Sequence, residues 1–261
     1  MPTPQSGIAG MRAVITAGGG GAGRVIAETL ANMGCRVVVC DVDSSALNDL
    51  RRAREDIVAL EADASQEEAV DRVVREAEGR FGGVDLLVNN VGIAGSTARV
   101  EDISRHEWDL SIATNLTSHF LFARRVIPGM KARRCGLIVN ISSGSAKVGL
   151  PLRLPYVVSK GAVLSLTLNL ARELGPYGIR VNALLPGAIR GARIQRVIEA
   201  KADALGVTAQ EYEQRLLKYI SLRTMIEPAD IAAMVAFLAS PAGARITGQA
   251  IGVDGNIEYE E

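Results

Sequence analysis

The stretch Arg12-Ala-Val-Ile-Thr-Ala-Gly-Gly-Gly-Gly-Ala-Gly23 decides how this chain is read. Arg12 to Thr16 is a short apolar and β-branched run of the kind that forms a buried strand. Gly18, Gly19, Gly20, Gly21 and Gly23 interrupt it, and Ala22, Val25, Ile26, Thr29, Leu30 and Met33 then repeat at helical spacing along one face. Gly34 stops that helix, and Arg36 to Asp41 reads as a second strand closing on an acid. Strand, glycine turn, helix and strand in this order form the repeating unit of a parallel sheet with crossover helices.

The alternation continues outward. Strands are expected at 56–61, 84–88, 136–141, 179–185 and 249–253. Between them lie a helix carrying Ala69, Val70, Val73, Val74 and Ala77, a long helical region over about 103–134, a helix over about 155–174, a polar helical segment over about 190–218, and a last helix opening at Pro228 and Asp230. No composition shift, linker or repeat divides the chain. The expectation is an α/β fold: a single doubly wound, Rossmann-type domain over residues 1–261, with a parallel sheet of about seven strands, helices on both faces, and a mobile substrate lid at about 190–218.

With 261 residues, 48% of them hydrophobic and 22% charged, the chain can bury a sizeable core and is too apolar for disorder. Lys+Arg 29 against Asp+Glu 29 leaves a net charge of +0, so no global attraction to nucleic acid or an anionic membrane exists. Nothing approaching 18 consecutive apolar residues occurs, and Met1 to Gly7 lacks the basic end and apolar stretch of a secretion signal. A cytoplasmic protein without membrane or nucleic-acid partners is expected. Cys35, Cys40 and Cys135 have no Cys-x-x-Cys spacing and read as core or near-core thiols. His106 and His119 belong to no His-Glu-x-x-His pattern, and no metal site is expected.

In a doubly wound sheet, ligands bind beyond the carboxyl ends of the strands. The glycine turn suits a diphosphate there, because the backbone can approach closely and a helix N-terminus presents free N–H groups. Gly18-x-Gly20-x-x-Gly23, with Gly21 and Ala22 inside it, matches the dinucleotide pattern. A flexible connection and an S-adenosylmethionine site use similar loops. No Gly-Lys-Ser/Thr follows, which argues against a phosphate-loop NTPase. Asp41 stands 18 residues beyond Gly23, close to the spacing of about 20 for an acid that binds the adenosine ribose. It would repel a 2′-phosphate, and no Lys or Arg at Gly20 or Val42 offsets that, so NAD is expected over NADP by roughly 10- to 100-fold. The plainer alternatives are a solvated acid or a cap for the helix beginning near Ser44.

Tyr156-Val-Val-Ser-Lys160 opens the helix after the fifth strand and sets a phenol and an ammonium one turn apart on one face. A nearby cation favours phenolate, and lowering a free tyrosine's pKa of about 10 by three units takes roughly 4 kcal/mol, which Lys160 and a positively charged nicotinamide would share. Tyr156 would then act as general base for alcohol oxidation and general acid for carbonyl reduction. Ser143, at the end of the fifth strand, is placed to hold the substrate oxygen beside that phenol. Chance spacing of Tyr156 and Lys160, and a Ser143 that merely satisfies local backbone, are the competing readings.

Together these residues resemble the short-chain dehydrogenase/reductase family, over nearly the whole chain. Its Thr-Gly-x-x-x-Gly-x-Gly motif corresponds to Thr16, Ala17, Gly21 and Gly23, and its Asn-Asn-Ala-Gly motif to Asn89, Asn90, Val91 and Gly92. Its adenine-contacting acid corresponds to Asp63, followed by Ala64, and its tetrad to Asn115, Ser143, Tyr156 and Lys160. The resemblance implies that Lys160 also binds the nicotinamide ribose, that Asn115 holds a water linking Lys160 to solvent, that Pro186, Gly187 and Ile189 line the nicotinamide, and that the chain forms a homotetramer. There are two departures. Ala17 replaces the first motif glycine, with Gly18 expected to take over the positive-φ position, and Gly191 stands where the family has a cofactor-contacting threonine, with Arg190 or backbone as its replacement.

The implied activity is NAD(H)-dependent interconversion of a secondary alcohol and a ketone. The nearest alternative is NADPH-dependent reduction of a 3-oxoacyl thioester, with which Asp41 conflicts. A methyltransferase gives no reason for Ser143, Tyr156 and Lys160 together, and a non-catalytic dinucleotide sensor or scaffold gives none for an intact tetrad. Arg153 and Arg193, in the two stretches expected to wall the substrate, either bind an acidic substituent or belong to a solvated basic face. Trp108 and His119 read as structural.

Overall fold

The computed structural model describes residues 7–257. The start of the chain, on which the reading of the secretion signal rests, lies almost wholly outside the described residues. The strands are β1 (Arg12–Thr16), β2 (Arg36–Asp41), β3 (Ile57–Glu61), β4 (Leu86–Asn89), β5 (Gly136–Ile141), β6 (Ile179–Pro186) and β7 (Ala250–Val253). The helices are α1 (Gly21–Asn32), α2 (Ser44–Ala53), α3 (Glu67–Phe81), α4 (Arg105–Ile112), α5 (Ser118–Arg133), α6 (Ser145–Val148), α7 (Leu154–Leu174), α8 (Ala192–Leu205), α9 (Ala209–Lys218) and α10 (Pro228–Ala239).

All seven strands are parallel and lie in the order β3-β2-β1-β4-β5-β6-β7. From β1 the chain builds outward to β3, then returns to place β4 on the other side of β1. The reversal leaves a crevice at the carboxyl ends of β1 and β4, where such sheets bind ligands.

Successive strand residues point to opposite faces, and the core follows that period. Ile15, Val39, Val88 and Val139 pack with Ile26, Leu30, Leu47, Ile231 and Val235 of α1, α2 and α10. Val14, Val38, Leu87 and Ile138 pack on the other face with Val70, Val73, Phe122, Val126 and Leu174 of α3, α5 and α7. Burying each large apolar side chain contributes on the order of 1.5–3 kcal/mol, and the two layers fix the strand ends that carry the site.

Three segments differ from the expectation. β4 starts at Leu86 and runs to Asn89. The helical region expected over 103–134 runs unbroken from Arg105 to Arg133 but carries a π-helical turn over Ala113–Thr117, between α4 and α5. The segment 190–218 is two helices, because Gly206 ends α8 in the left-handed region (φ +66°) and Thr208 caps α9 through a reciprocal pair with Glu211. These two helices rest on a small separate cluster of Ala188, Ile198, Leu216, Ile220, Met225 and Ile257.

Cys35 and Cys40 are buried as expected, whereas Cys135 is exposed. Although no unbroken apolar run of membrane length was found, α7 with the turn after it is long and apolar enough to cross a bilayer. Its Val163, Ala171 and Leu174 are buried against the rest of the fold, while Val158 and Leu168 remain exposed.

Candidate active site

The carboxyl ends of the central strands open onto one cleft of about 670 Å³, within the usual range of ligand sites. Ala17, Gly20, Gly21, Ala22 and Gly23 form one end of it, with Asp41 and Asp43 beside them. Asn90, Gly92, Ser143, Tyr156, Lys160, Pro186, Gly187 and Ile189 line its middle.

The glycine turn is shaped by close approach as much as by backbone freedom. A Cβ at Gly23 would lie 2.0 Å from the Ala17 carbonyl oxygen and 2.6 Å from Asn90 Nδ2, so no side chain fits. At Gly18 it would fall 2.6 Å from the Cβ of Val39 in β2. Gly18 does not take the positive φ expected of it; Ala17 itself does, at +51°, and Gly21 at +52°. Asn90 ties the turn to β4, its side-chain amide donating to the carbonyls of Thr16 and Ala17 at 3.1 Å each. The Thr16 hydroxyl accepts the N–H groups of Asn90 (2.9 Å) and Val91 (3.0 Å). Thr16, Gly18 and Val91 thus brace the cleft without lining it. A Cβ at Gly20 or Gly21 would meet nothing within 4 Å, which leaves an open backbone cradle at the N-terminus of α1, suited to a diphosphate.

Asp41 does not cap α2; Asp43 does, accepting the Ala46 N–H. Asp41 instead accepts the Gly19 N–H at 3.0 Å and the Asp43 N–H at 3.1 Å, which fixes its carboxylate against the glycine turn. Val42 is exposed. Asp63 accepts the N–H and hydroxyl of Ser65, and Ala64 is buried; neither lines the cleft.

At the other end, Asn115 sits fully buried in the π turn. Its Oδ1 accepts the Ile93 N–H at 2.7 Å, and its Nδ2 donates to the Ile93 carbonyl at 3.1 Å and to Ser159 Oγ at 3.0 Å. Ser159 in turn donates to the Tyr156 carbonyl at 2.8 Å. The Asn115 side chain is therefore committed to protein partners. Lys160 donates to the Ile141 carbonyl at 2.7 Å, while Ser142 donates to the Lys160 carbonyl, also at 2.7 Å. A Cβ at Gly92 would stand 3.1 Å from Lys160 Nζ and 3.2 Å from Asn115 Oδ1, so the glycine is what lets both groups approach the end of β4. Ser143 lies just beyond β5, its hydroxyl 2.9 Å from that of Ser145.

Burial, reinforced by the Arg193 guanidinium, pulls the Lys160 amine down to about 7. An amine balanced near neutrality can pass a proton in either direction. His119 is held neutral, pushed down to about 3 by burial and then by Lys160, with Nε2 facing the Val91 carbonyl. Gly191, the N-cap of α8, has φ +145°, a conformation L side chains rarely adopt, so a threonine would be strained there. Arg190 does not stand free as its substitute, since it pairs with Glu227 at 2.8 Å.

A family model described as enoyl-(acyl carrier protein) reductase, of the short-chain alcohol dehydrogenase type, matches residues 17–256. The chain belongs to the short-chain dehydrogenase/reductase family. This family member is 31% identical to the D-beta-hydroxybutyrate dehydrogenase of Rhizobium meliloti, over 93% of its own length and 96% of that protein's. It is 34% identical to the 3-oxoacyl-(acyl-carrier-protein) reductase FabG of Staphylococcus epidermidis, over 94% and 98%. The solved structure of an NAD+-bound xylitol dehydrogenase superimposes with a TM-score of 0.89 at 30% identity, covering 94% of this chain and 98% of that one. As a short-chain dehydrogenase/reductase the protein is an oxidoreductase built on a nucleotide-binding, Rossmann-type sheet.

Sequence reading missed Ser159, which joins Asn115 to the helix carrying Tyr156 and Lys160, and Ser142. Their only local signal is adjacency to Lys160 and Ser143. It also left undecided the placement of Arg153, which is buried at the cleft wall.

Proposed function

We propose that this enzyme interconverts a secondary alcohol and a ketone with NAD(H), and that Asn115, Ser143, Tyr156 and Lys160 carry the chemistry. The observation that supports NAD is Asp41, held against the glycine turn by the Gly19 and Asp43 N–H groups with Asp43 beside it in the cleft wall. A 2′-phosphate on the ribose would meet two acidic side chains and no cleft-lining cation at this end.

A bound nicotinamide supplies or accepts the hydride. The chain's own residues manage the proton and the geometry. Ser143 donates a hydrogen bond to the substrate oxygen, and Tyr156 takes the proton from that oxygen during oxidation and returns it during reduction. Lys160, anchored on the Ile141 carbonyl and poised near neutrality, exchanges protons with the phenol's surroundings. Asn115 and Ser159 hold the start of α7 so that the phenol keeps its place.

Steady-state kinetics with NADH and NADPH on a panel of ketones test the reading. A kcat/KM favouring NADH by roughly 10- to 100-fold is expected; a preference for NADPH removes it. The second reading, reduction of a 3-oxoacyl thioester, draws on the likeness to the acyl-carrier-protein reductase. It requires turnover of a 3-oxoacyl thioester in preference to small ketones.

We further propose a homo-oligomer. Leu110 of α4, Phe120 of α5 and Leu168 of α7 are 47%, 46% and 53% exposed, apolar surface that a second copy would cover. Light scattering on Phe120→Glu and Leu168→Glu, against the parent protein, tests this.

A further inference from the structure

The wall of the cleft around the Tyr156 ring is cationic and, among the described residues, holds no acid. Building on the alcohol–ketone reading above, we propose that the substrate is a hydroxy acid or keto acid, its carboxylate held by Arg153, Arg193 and Lys201 while its hydroxyl or carbonyl faces Tyr156.

Arg153 carries the inference. It is only 4% exposed yet lines the cleft. One terminal nitrogen donates to the Ala94 carbonyl at 2.7 Å and the other to the Thr97 hydroxyl at 3.3 Å, while its Nε is buried with no partner. Among the described residues no carboxylate pairs with Arg153, Arg193 or Lys201. A buried guanidinium without a counter-charge is costly, and so is an unmet N–H beside it. The neighbouring Arg190 has such a counter-charge in Glu227, so an acid partner is available to cations of this segment where the fold needs one.

The three cations converge. The Arg153 guanidinium lies 5.3 Å from the centre of the Tyr156 ring and that of Arg193 6.0 Å from it. Lys201 is 6% exposed, donates to the Pro151 carbonyl at 2.7 Å, and feels the charge of Arg153. Among the described residues, the only acids lining the cleft are Asp41 and Asp43, at the glycine-turn end. That end has its own anion donors in the first turn of α1. Arg153 and Lys201 are anchored instead on residues 94–97 and 151, which leaves them free of that duty. A thioester carbonyl is neutral and would leave all three charges unanswered. A phosphate on a longer carrier would answer them, and is distinguished below by using substrates that have none.

The test pairs pyruvate, 3-oxobutanoate and 4-oxopentanoate with their methyl esters in the presence of NADH, reading both kcat/KM and calorimetric binding. At least one acid should exceed its ester by tenfold or more. Arg153→Met and Arg193→Met should each reduce the acid-to-ester ratio by roughly 10- to 150-fold, with Arg153→Lys recovering part of it. Should Arg153→Met fail to fold, Arg193→Met at the exposed start of α8 gives the same measurement. Esters bound and turned over as well as every acid, or ratios unchanged in the variants, overturn the anion site, even where cyclohexanone is reduced and the parent reading stands. Arginine-dependent binding of an acid without turnover of any ketone upholds the anion site and overturns the proposed alcohol–ketone reaction.

Discussion

The side-chain amide of Asn115 donates to the hydroxyl of Ser159 over 3.0 Å, across a sequence separation of 44 residues. Ser159 passes that contact on to the Tyr156 carbonyl, so a π turn between α4 and α5 is tied to the first turn of the helix bearing the phenol and the amine. Widened turns of this kind are frequent at functional sites. Ser159→Ala leaves a buried N–H of the Asn115 amide short of a partner. It should cost about 1–3 kcal/mol by denaturant unfolding and lower kcat more than it raises KM. Unchanged stability and kcat would mean that the contact does not hold the site.

Asp41→Ala should narrow the preference for NADH over NADPH by about 10- to 100-fold, chiefly through weaker NADH binding. The ratio of kcat/KM values for the two cofactors measures it. The loss of an acceptor for the Gly19 and Asp43 N–H groups should also lower stability by about 1 kcal/mol.

Two changes in the glycine turn should act in opposite directions. Ala17 has φ +51°, which costs an L residue about 1–2 kcal/mol, so Ala17→Gly should raise stability by about 0.5–1 kcal/mol after the added freedom of the unfolded chain is subtracted. Gly23→Ala puts a methyl 2.0 Å from the Ala17 oxygen and should abolish dinucleotide binding while lowering Tm. Calorimetric titration with NADH and thermal melts read both.

Lys160 is drawn down to about 7 when folded, against about 10.5 for a free lysine. Between those values the unfolded chain binds the extra proton and the folded protein does not, so the contribution of this group to stability is least favourable at and below pH 7 and improves as pH rises toward 10.5. Lys160→Met should therefore abolish turnover yet gain stability over the parent at pH 7, with the advantage shrinking by pH 10. Urea melts of the pair across that range check the sign; an advantage that grows with pH would contradict it.

The strands around the glycine turn were legible almost to the residue. β1, β2 and Asp41 stand where the apolar runs and glycines placed them, because a strand buried on both faces has to be a continuous apolar stretch. The substrate half was less so. The π turn at Ala113–Thr117 is invisible in a helical period that continues through it, and the partner of its Asn115 is the Ile93 backbone, 22 residues upstream. Gly18 was assigned the wrong job because only the folded sheet brings Val39 against it. Arg153 looked like any basic residue on a polar face until the loops at 94–97 closed over it.

The hydrophobic support of α8 and α9 is largely their own. Ile198, Leu216, Ile220 and Met225 pack with one another and not into either face of the sheet. Mutations that reshape this wall therefore leave the dinucleotide frame standing. On the proposed reading, selectivity would drift by repeated substitution there while Tyr156 and Lys160 stay in place, which makes this patch the natural starting point for redirecting the enzyme toward new substrates.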